Sequence, residues 1–555
     1  MLPYSTFMKS VECSSYTRYL AIIPLLTTII VTPGLNTESQ ILGKFTFFTL
    51  SVVCAFIFAI QRGQIKFGRL WGGLSLAIIA SITVSTLIQR QNLSEQLYGV
   101  YGRNNGLILI IASILYFLMS VSPKSEVFES LVLKRLTQTG WFVVAYFFIQ
   151  FVGWDLVPWN KTYDVPVSTL GNPNFLSAFI ALSLFANFGD YMIEKRNKKS
   201  KVMLAFSWAS GSLALFLTNS QQGFLLLLAG IWMLLCKFLF ERKSQALKLT
   251  WTALTGSFIG IIILGIANIG PGQRIFQEYT LAIRREYWLA GISMYRENPI
   301  FGNGIDSYLY NFDAHKSDNF VKNYGIILTS SSSHNIYIDY FQGAGLFAGL
   351  LYLMLNLLVT IVAVKRAFKG TASQAYWALF IIWILIQIQS LISIQNVAIN
   401  SWQWLIAAAL VATSQMPINK SPGATMAKIT SPNQKKQLLK PLLIALAIPI
   451  IYLIPLAFIQ DVKFAGAIKT SNGSALIDLS NTFPFDTYRS NYTARALEEG
   501  KYWHFAREIA KNSVIENPRN KEGWLLIYKS KLSTTFEKQR ARREISKLDP
   551  RWEPS

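Results

Sequence analysis

Residues 335–363 read NIYIDYFQGAGLFAGLLYLMLNLLVTIVA, and the one charge in the run is Asp339. A helix needs about 20 mostly apolar residues to cross a ~30 Å hydrocarbon core. This stretch has that length with residues to spare for a tilt or an interfacial turn at its start. Twelve more candidates flank it, at 19–35, 45–60, 70–88, 106–121, 140–153, 174–192, 203–218, 223–240, 250–269, 374–392, 401–414 and 441–459. Thr32-Pro33-Gly34-Leu35 after the first run does not read as a signal cleavage site, so that run is expected to remain as a span. The expected fold is an all-α, polytopic membrane bundle of about 12–13 transmembrane helices, with a large external loop and a C-terminal helical-repeat-like tail.

Composition agrees. Of the 555 residues, 52% are hydrophobic and only 15% charged, where a soluble domain carries about 25% charge. A soluble multidomain protein is excluded, and so is a disordered chain. The net charge of +23 would suggest nucleic acid in a soluble protein. In a membrane protein it must first be laid over the loops. Alternate loops (1–18, 61–69, 122–139, 194–201, 237–248, 364–373, 415–440) hold 25 Lys and Arg, and the short loops opposite (36–44, 89–105, 154–173, 219–222, 393–400) hold 4. Positive charge stays on the cytoplasmic side. The N-terminus is therefore expected inside, and the 270–334 loop and the 460–555 tail outside, the cytoplasmic membrane. The +23 is a topology signal and no nucleic-acid partner is expected. The basic runs at 194–201 and 431–440 read as anchors beside anionic headgroups.

The expected domains are a membrane part, 1–459, and a polar tail, 460–555. Within the tail, Asn517-Pro518-Arg519 and Asp549-Pro550-Arg551 close two similar stretches, with the prolines 32 positions apart. That spacing is near the 34-residue period of tetratricopeptide helix pairs. Ala494, Ala496, Tyr502, Ala506, Ala510 and Val514 would pack such pairs, although a plain helical hairpin fits equally. So short an array would lean on the membrane part or on a protein partner.

Chemistry-bearing residues concentrate in the external loops. Leu281, Trp288, Ile292 and Tyr295 recur at helical spacing, which predicts an amphipathic helix with Trp288 at headgroup level. It would end at Asn298-Pro299 and be followed by a Phe301-Gly302-Asn303-Gly304 turn. Arg284 and Arg285 on that helix could bind headgroups or clamp a diphosphate. His334, after four serines, could cap the span that follows or act as a general base, since a free imidazole titrates near neutral pH. Asp339 falls on a different helical face. Asn174 in Gly171-Asn172-Pro173-Asn174 would cap the next helix. The Tyr98–Leu107 loop offers Arg103 with aromatic and amide neighbours. Three cysteines without a CxxC give neither a disulfide framework nor a zinc site. The carboxylates around His315 (Asp313, Asp318) read as solvated loop.

Taken together, these loops resemble the O-antigen ligase/polymerase family of bacterial envelope glycosyltransferases over roughly residues 90–365. The pieces are Gly102-Arg103-Asn104-Asn105-Gly106-Leu107, the Asn172-Pro173-Asn174 turn, Thr218-Asn219-Ser220-Gln221, Arg284-x-x-x-Trp288 with Asn298-Pro299-Ile300-Phe301-Gly302-Asn303-Gly304, and His334-Asn335-x-Tyr337 closed by Gly345-Leu346. The resemblance implies transfer of glycan from a polyprenyl-diphosphate carrier to an acceptor hydroxyl outside the membrane, inverting, with no metal or other cofactor. It implies His334 as base and Arg284, Arg103 and Arg285 as diphosphate ligands. Asn172, Asn174, Asn335, Tyr337 and Trp288 would shape the loops or meet the acceptor. Two positions depart from the family: Gln221 stands where its arginine is usual, and Gly343 where a carboxylate is common. Ligase, glycan polymerase and protein O-oligosaccharyltransferase remain open, as does a lipid-glycan flippase or transporter. A transporter would place ionisable residues at mid-membrane, where this chain has few.

Overall fold

A computed structural model describes residues 14–64, 68–89, 92–122, 126–155, 163–193, 198–241, 244–266, 279–369, 372–414 and 447–553, with the single positions 157, 269 and 445. Among them every regular element is a helix. Ten of these helices are long and apolar enough to cross a membrane, and the chain is a multi-pass membrane protein. The other three expected spans fall on helices of different character. Ser15–Ile29 and Leu107–Ser120 have only 15 and 14 residues. Glu126–Phe151 begins well before residue 140 with a turn that contains Glu129, Lys134 and Arg135. The last span, Ala447–Lys469, runs on past Gln460, so the polar change there is not a helix end.

Burial sorts the helices. Val397–Ser414 is enclosed on all sides, and its indoles are satisfied internally: Trp402 Nε1 donates to Thr28 Oγ1 at 3.0 Å and Trp404 Nε1 to Asn400 Oδ1 at 2.9 Å. Polar groups away from water need such partners. Gln245–Ile266 lies at the opposite extreme, with Leu254, Phe258 and Ile263 exposed. An apolar helix that shows its side chains outward in a spanning bundle faces lipid.

The Ile336–Phe368 helix is broken at Gly345, which has φ +81° and ψ −174°. The chain just after the Tyr279–Glu297 helix fills the break. Asn303 N donates to Gln342 O (2.7 Å), Gly304 N to Gly343 O (2.9 Å) and Leu346 N to Pro299 O (2.8 Å). These bonds satisfy backbone groups that the kink frees, the usual condition for non-helical backbone at membrane depth. Ser85 Oγ donates to Phe301 O at 2.5 Å, and Gln89 Nε2 to Gly302 O, which ties the turn to the Arg69–Gln89 helix.

The loops assigned to the outside by charge meet at one end of the bundle. The tail packs there too. Thr487–Glu499 pairs with Trp503–Glu516 around Ala494, Leu497, Ala506 and Ile509. Lys521–Lys529 pairs with Thr535–Leu548 around Trp524, Ile527, Ala541 and Ile545. Tyr502, expected in the packing, is exposed. Glu95 of the Leu93–Tyr98 helix is buried against this tail. It accepts hydrogen bonds from Thr487 N (3.0 Å), Asn517 Nδ2 (3.1 Å) and Tyr310 OH (2.9 Å). Lys521 pairs with Asp313, and Arg551 with Asp318 at 2.6 Å.

Candidate active site

The four serines ahead of His334 form a turn held by a carboxylate from the next helix. Asp339 Oδ2 accepts from Ser332 Oγ (2.7 Å) and Asp339 Oδ1 from Ser333 N (2.9 Å). Asp339 thus reaches back over the N-terminus of its own helix, a contact that its angular distance from His334 did not suggest. His334 does not cap that helix. Asn335 does, accepting from Tyr337 N (3.0 Å) and Ile338 N (3.2 Å). His334 stands one residue earlier with φ +55°, its N–H bonded to Ser332 Oγ at 3.0 Å.

The His334 ring is half-buried and stacks on Tyr287, with centroids 5.3 Å apart and planes at 20°. Tyr287 is fixed in turn through its carbonyl, which accepts from Tyr308 OH at 2.7 Å. Burial pushes the imidazole down to about 3, and the positive charges of Arg103 and Arg284 push the same way. The ring is therefore neutral, with a pKa well below the near-neutral value expected from the residue type.

Arg103 and Arg284 come to this centre from loops far apart in sequence. Arg103 donates through Nε (3.1 Å) and Nη2 to Ser331 Oγ in the serine turn. Its own loop is pinned by Asp306, whose Oδ2 accepts from Val100 N (2.8 Å) and Asn105 N (3.3 Å). Burial raises Asp306 to about 6, against the pull of Arg103 and of those two N–H groups. Arg284 is 7% exposed, and its closest polar contact is Gln222 Oε1 at 3.4 Å. Among the described residues neither arginine forms an ion pair. A buried guanidinium without a carboxylate partner is costly unless an anion is provided.

Gln222 was not singled out from sequence. It links Arg284 to Gln389 of the Gln374–Ile392 helix, its Nε2 donating to Gln389 Oε1. Its neighbour Gln221 is the position that departs from the family pattern, so the amide that meets Arg284 lies one residue on. No local pattern marks one of two adjacent glutamines.

The remaining expected residues are spread around the centre. Arg285 is partly exposed and lies 3.9 Å from Glu286. Trp288 is half-buried. Ile283, Tyr287, Ala290 and Met294 of its helix pack into a core with Phe312 and Phe320, and Ile292, on the face expected at headgroup level, is exposed. The 171–174 turn is capped by Asn172 rather than Asn174. Asn172 Oδ1 accepts from Asn174 N (2.8 Å), and its Nδ2 donates to Tyr163 OH (2.6 Å). Asn174 Oδ1 instead accepts from Ser220 Oγ at 2.8 Å, joining the turn to the 218–222 loop. Tyr337 OH donates to Gln387 Oε1 at 2.5 Å. Of the two carboxylates expected to be solvated, Asp313 is instead largely covered and meets Lys521 of the tail, while Asp318 is exposed and pairs with Arg551.

These features define a polytopic membrane protein whose polar loops converge, at one end of the bundle, on a neutral histidine, the buried Arg284 and the half-buried Arg103. Residues 205–353 match the family model described as O-antigen ligase, and over that segment the chain is O-antigen ligase-like. The match contains Arg284 and His334; Arg103 and the 171–174 turn precede it. No curated protein matches the chain.

Proposed function

We propose that the protein transfers glycan from a polyprenyl-diphosphate carrier to an acceptor hydroxyl, with His334 as general base and Arg284 and Arg103 as diphosphate ligands. The observation that carries this reading is the convergence of Arg284, buried with an amide rather than a carboxylate within hydrogen-bond reach, and of Arg103 on an imidazole whose proton affinity both suppress. A diphosphate between them offsets their charge. The same offset raises the basicity of His334, because a nearby anion favours imidazolium. Donor binding thus prepares the base that the reaction needs.

In the reaction the acceptor oxygen forms a bond to the anomeric carbon as the bond from that carbon to the diphosphate oxygen breaks. The leaving diphosphate takes the electron pair and is stabilised by the arginines. The hydroxyl proton passes to His334. Attack opposite the leaving group inverts the anomeric centre. Arg285 lies one residue along the helix, where it can meet the outer phosphate or the headgroups. The tail, packed over the loop that carries Arg103, stands where an acceptor or partner protein would approach.

The test is a reconstituted transfer assay in vesicles containing lipid-linked glycan, followed by intact-product mass spectrometry. His334→Ala should reduce transfer by at least ~100-fold, the range for loss of a general base, while lipid-diphosphate binding stays within about twofold. Wild-type turnover in that variant would remove His334 from the mechanism. The product's acceptor, whether lipid, growing glycan or protein, assigns the subclass.

A further inference from the structure

Beside Arg103 and the serine turn lies a partly open cleft, with about 510 Å³ of empty space when the solvent at its mouth is included. Its wall includes Arg103, Asn105, Asp306, Asp339, Gln342 and Gln395. The two carboxylates are occupied with the turns described above. The amides are not. Gln342 is 1% exposed, and its Oε1 has no hydrogen-bond partner although its backbone carbonyl is used by Asn303 N. Asn105 Oδ1 is also buried without a partner, while its Nδ2 donates to Gln395 O at 3.2 Å. Buried polar atoms are almost always bonded, so two free acceptors lining one cleft indicate a ligand that donates.

The wall's chemistry narrows the ligand class. A phosphate has only acceptors to offer and would meet two amide oxygens and two carboxylates. An ammonium group would meet the guanidinium of Arg103. A hydroxyl both donates to the amides and accepts from the arginine. We infer that this cleft seats a neutral sugar ring, the one bonded directly to the donor diphosphate, with Gln342 and Asn105 accepting from its hydroxyls. This rests on the diphosphate reading above, which assigns Arg103 to the phosphates; a ring seated immediately behind Arg103 is then the first sugar of the donor.

The test uses the full chain in lipid nanodiscs and a panel of synthetic polyprenyl diphosphates. One is bare, and the others carry a single glucose, galactose or N-acetylglucosamine. Wild type should bind at least one glycosylated probe about tenfold more tightly than the bare one, the size of one or two well-placed hydrogen bonds. Gln342→Met should abolish that preference and leave bare-diphosphate affinity unchanged, and Gln342→Glu, which keeps an acceptor oxygen, should retain it. Asn105→Ala, at a half-buried position, serves as an independent probe should Gln342→Met unfold. Equal wild-type binding of bare and glycosylated probes overturns the sugar seat. A preference untouched by both the Gln342→Met and Asn105→Ala variants removes it from this cleft. A rise confined to the acceptor KM in transfer assays would place the acceptor's sugar there and overturn the donor assignment. Failure of wild type to bind any of the diphosphates would instead sink the function proposed above.

Discussion

His334 occupies a backbone conformation, φ +55°, that costs an L-residue about 1 kcal/mol or more, and such strain collects at functional positions. The strain sets the imidazole against Tyr287 and within reach of two positive charges. Those charges fix the pH behaviour. With the free-site imidazole near 3, protonation of His334 does not limit kcat/KM anywhere near neutral pH, since kcat/KM reports the free enzyme. Removing one cation favours the protonated ring, so its pKa rises. Arg284→Gln is therefore expected to bring an acid limb into the kcat/KM profile at a higher pH than in wild type, and to raise the donor KM about 10- to 100-fold through loss of charge-assisted contacts. A pH series with donor titrations reads both effects. A raised donor KM with an unmoved acid limb would separate Arg284 from the imidazole, and an unchanged KM would leave it as a headgroup anchor. Arg103 was legible because Lys and Arg are sparse in its set of short loops, and Arg284 and His334 because each stands in a run with a clear helix or turn signal. Gln222 was not, because its importance comes from meeting Arg284 across 62 positions, and Gln342 was not, because a glutamine in an apolar helix looks the same whether its amide is bonded or free.

At the scale of elements, the broken helix holds the site together. A helical span was expected over 335–363, and the helix is there, but the break at Gly345 was hidden in Gly343-Ala344-Gly345, a run of small residues that reads equally well as straight helix. Its meaning is tertiary. A Cβ at Gly345 would lie 2.1 Å from Ile300 O, and one at Gly302 would lie 2.5 Å from Gly343 O. Both residues also have positive φ. The two backbones touch where any side chain would separate them, and this contact sets the Tyr279–Glu297 helix, with Arg284, against the helix that follows His334. Gly345→Ala should therefore destabilise the protein by about 3 kcal/mol or more, from strain together with the backbone clash, and abolish transfer. Gly256→Ala, in the lipid-facing Gln245–Ile266 helix with nothing within 4 Å of the added methyl, should be neutral or slightly stabilising. Thermal unfolding of the two variants in the same detergent measures the contrast, and equal midpoints would show that the kink is not held by the close approach. The helix over 279–297 was legible from its spacing, but its inward face was not, since Tyr287 and Met294 pack against Phe312 and Phe320, aromatic residues supplied by a segment whose own signals are weak.

For the whole molecule, membrane spans are legible at a distance because hydrocarbon selects the same apolar character all along a span, whereas the seating of the tail depends on single pairs such as Lys521 with Asp313, 208 positions apart. The hub of that seating is Glu95. Burial raises its carboxyl from the ordinary range to about 7, and Asp486 adds to the rise, although Thr487 and Tyr310 donate to it and oppose the shift. A carboxyl whose pKa is higher in the docked state binds protons more tightly there, so it contributes most below its ordinary pKa of about 4.5 and loses that contribution as pH climbs through 7. Docking of residues 485–520 is therefore expected to loosen between about pH 5 and pH 8, read as faster amide exchange or proteolysis of the tail in the intact protein. Glu95→Gln should flatten this pH dependence, because the amide cannot ionise, and weaken docking at every pH by about 1–3 kcal/mol, because its NH2 faces a site built from donors. The Arg103 loop begins directly after the Glu95 helix, so transfer activity should follow the same curve in wild type and be flat in the variant. Persistence of the wild-type pH profile in Glu95→Gln would move the titrating group elsewhere in the interface, with Asp486, itself raised by burial, the next to test.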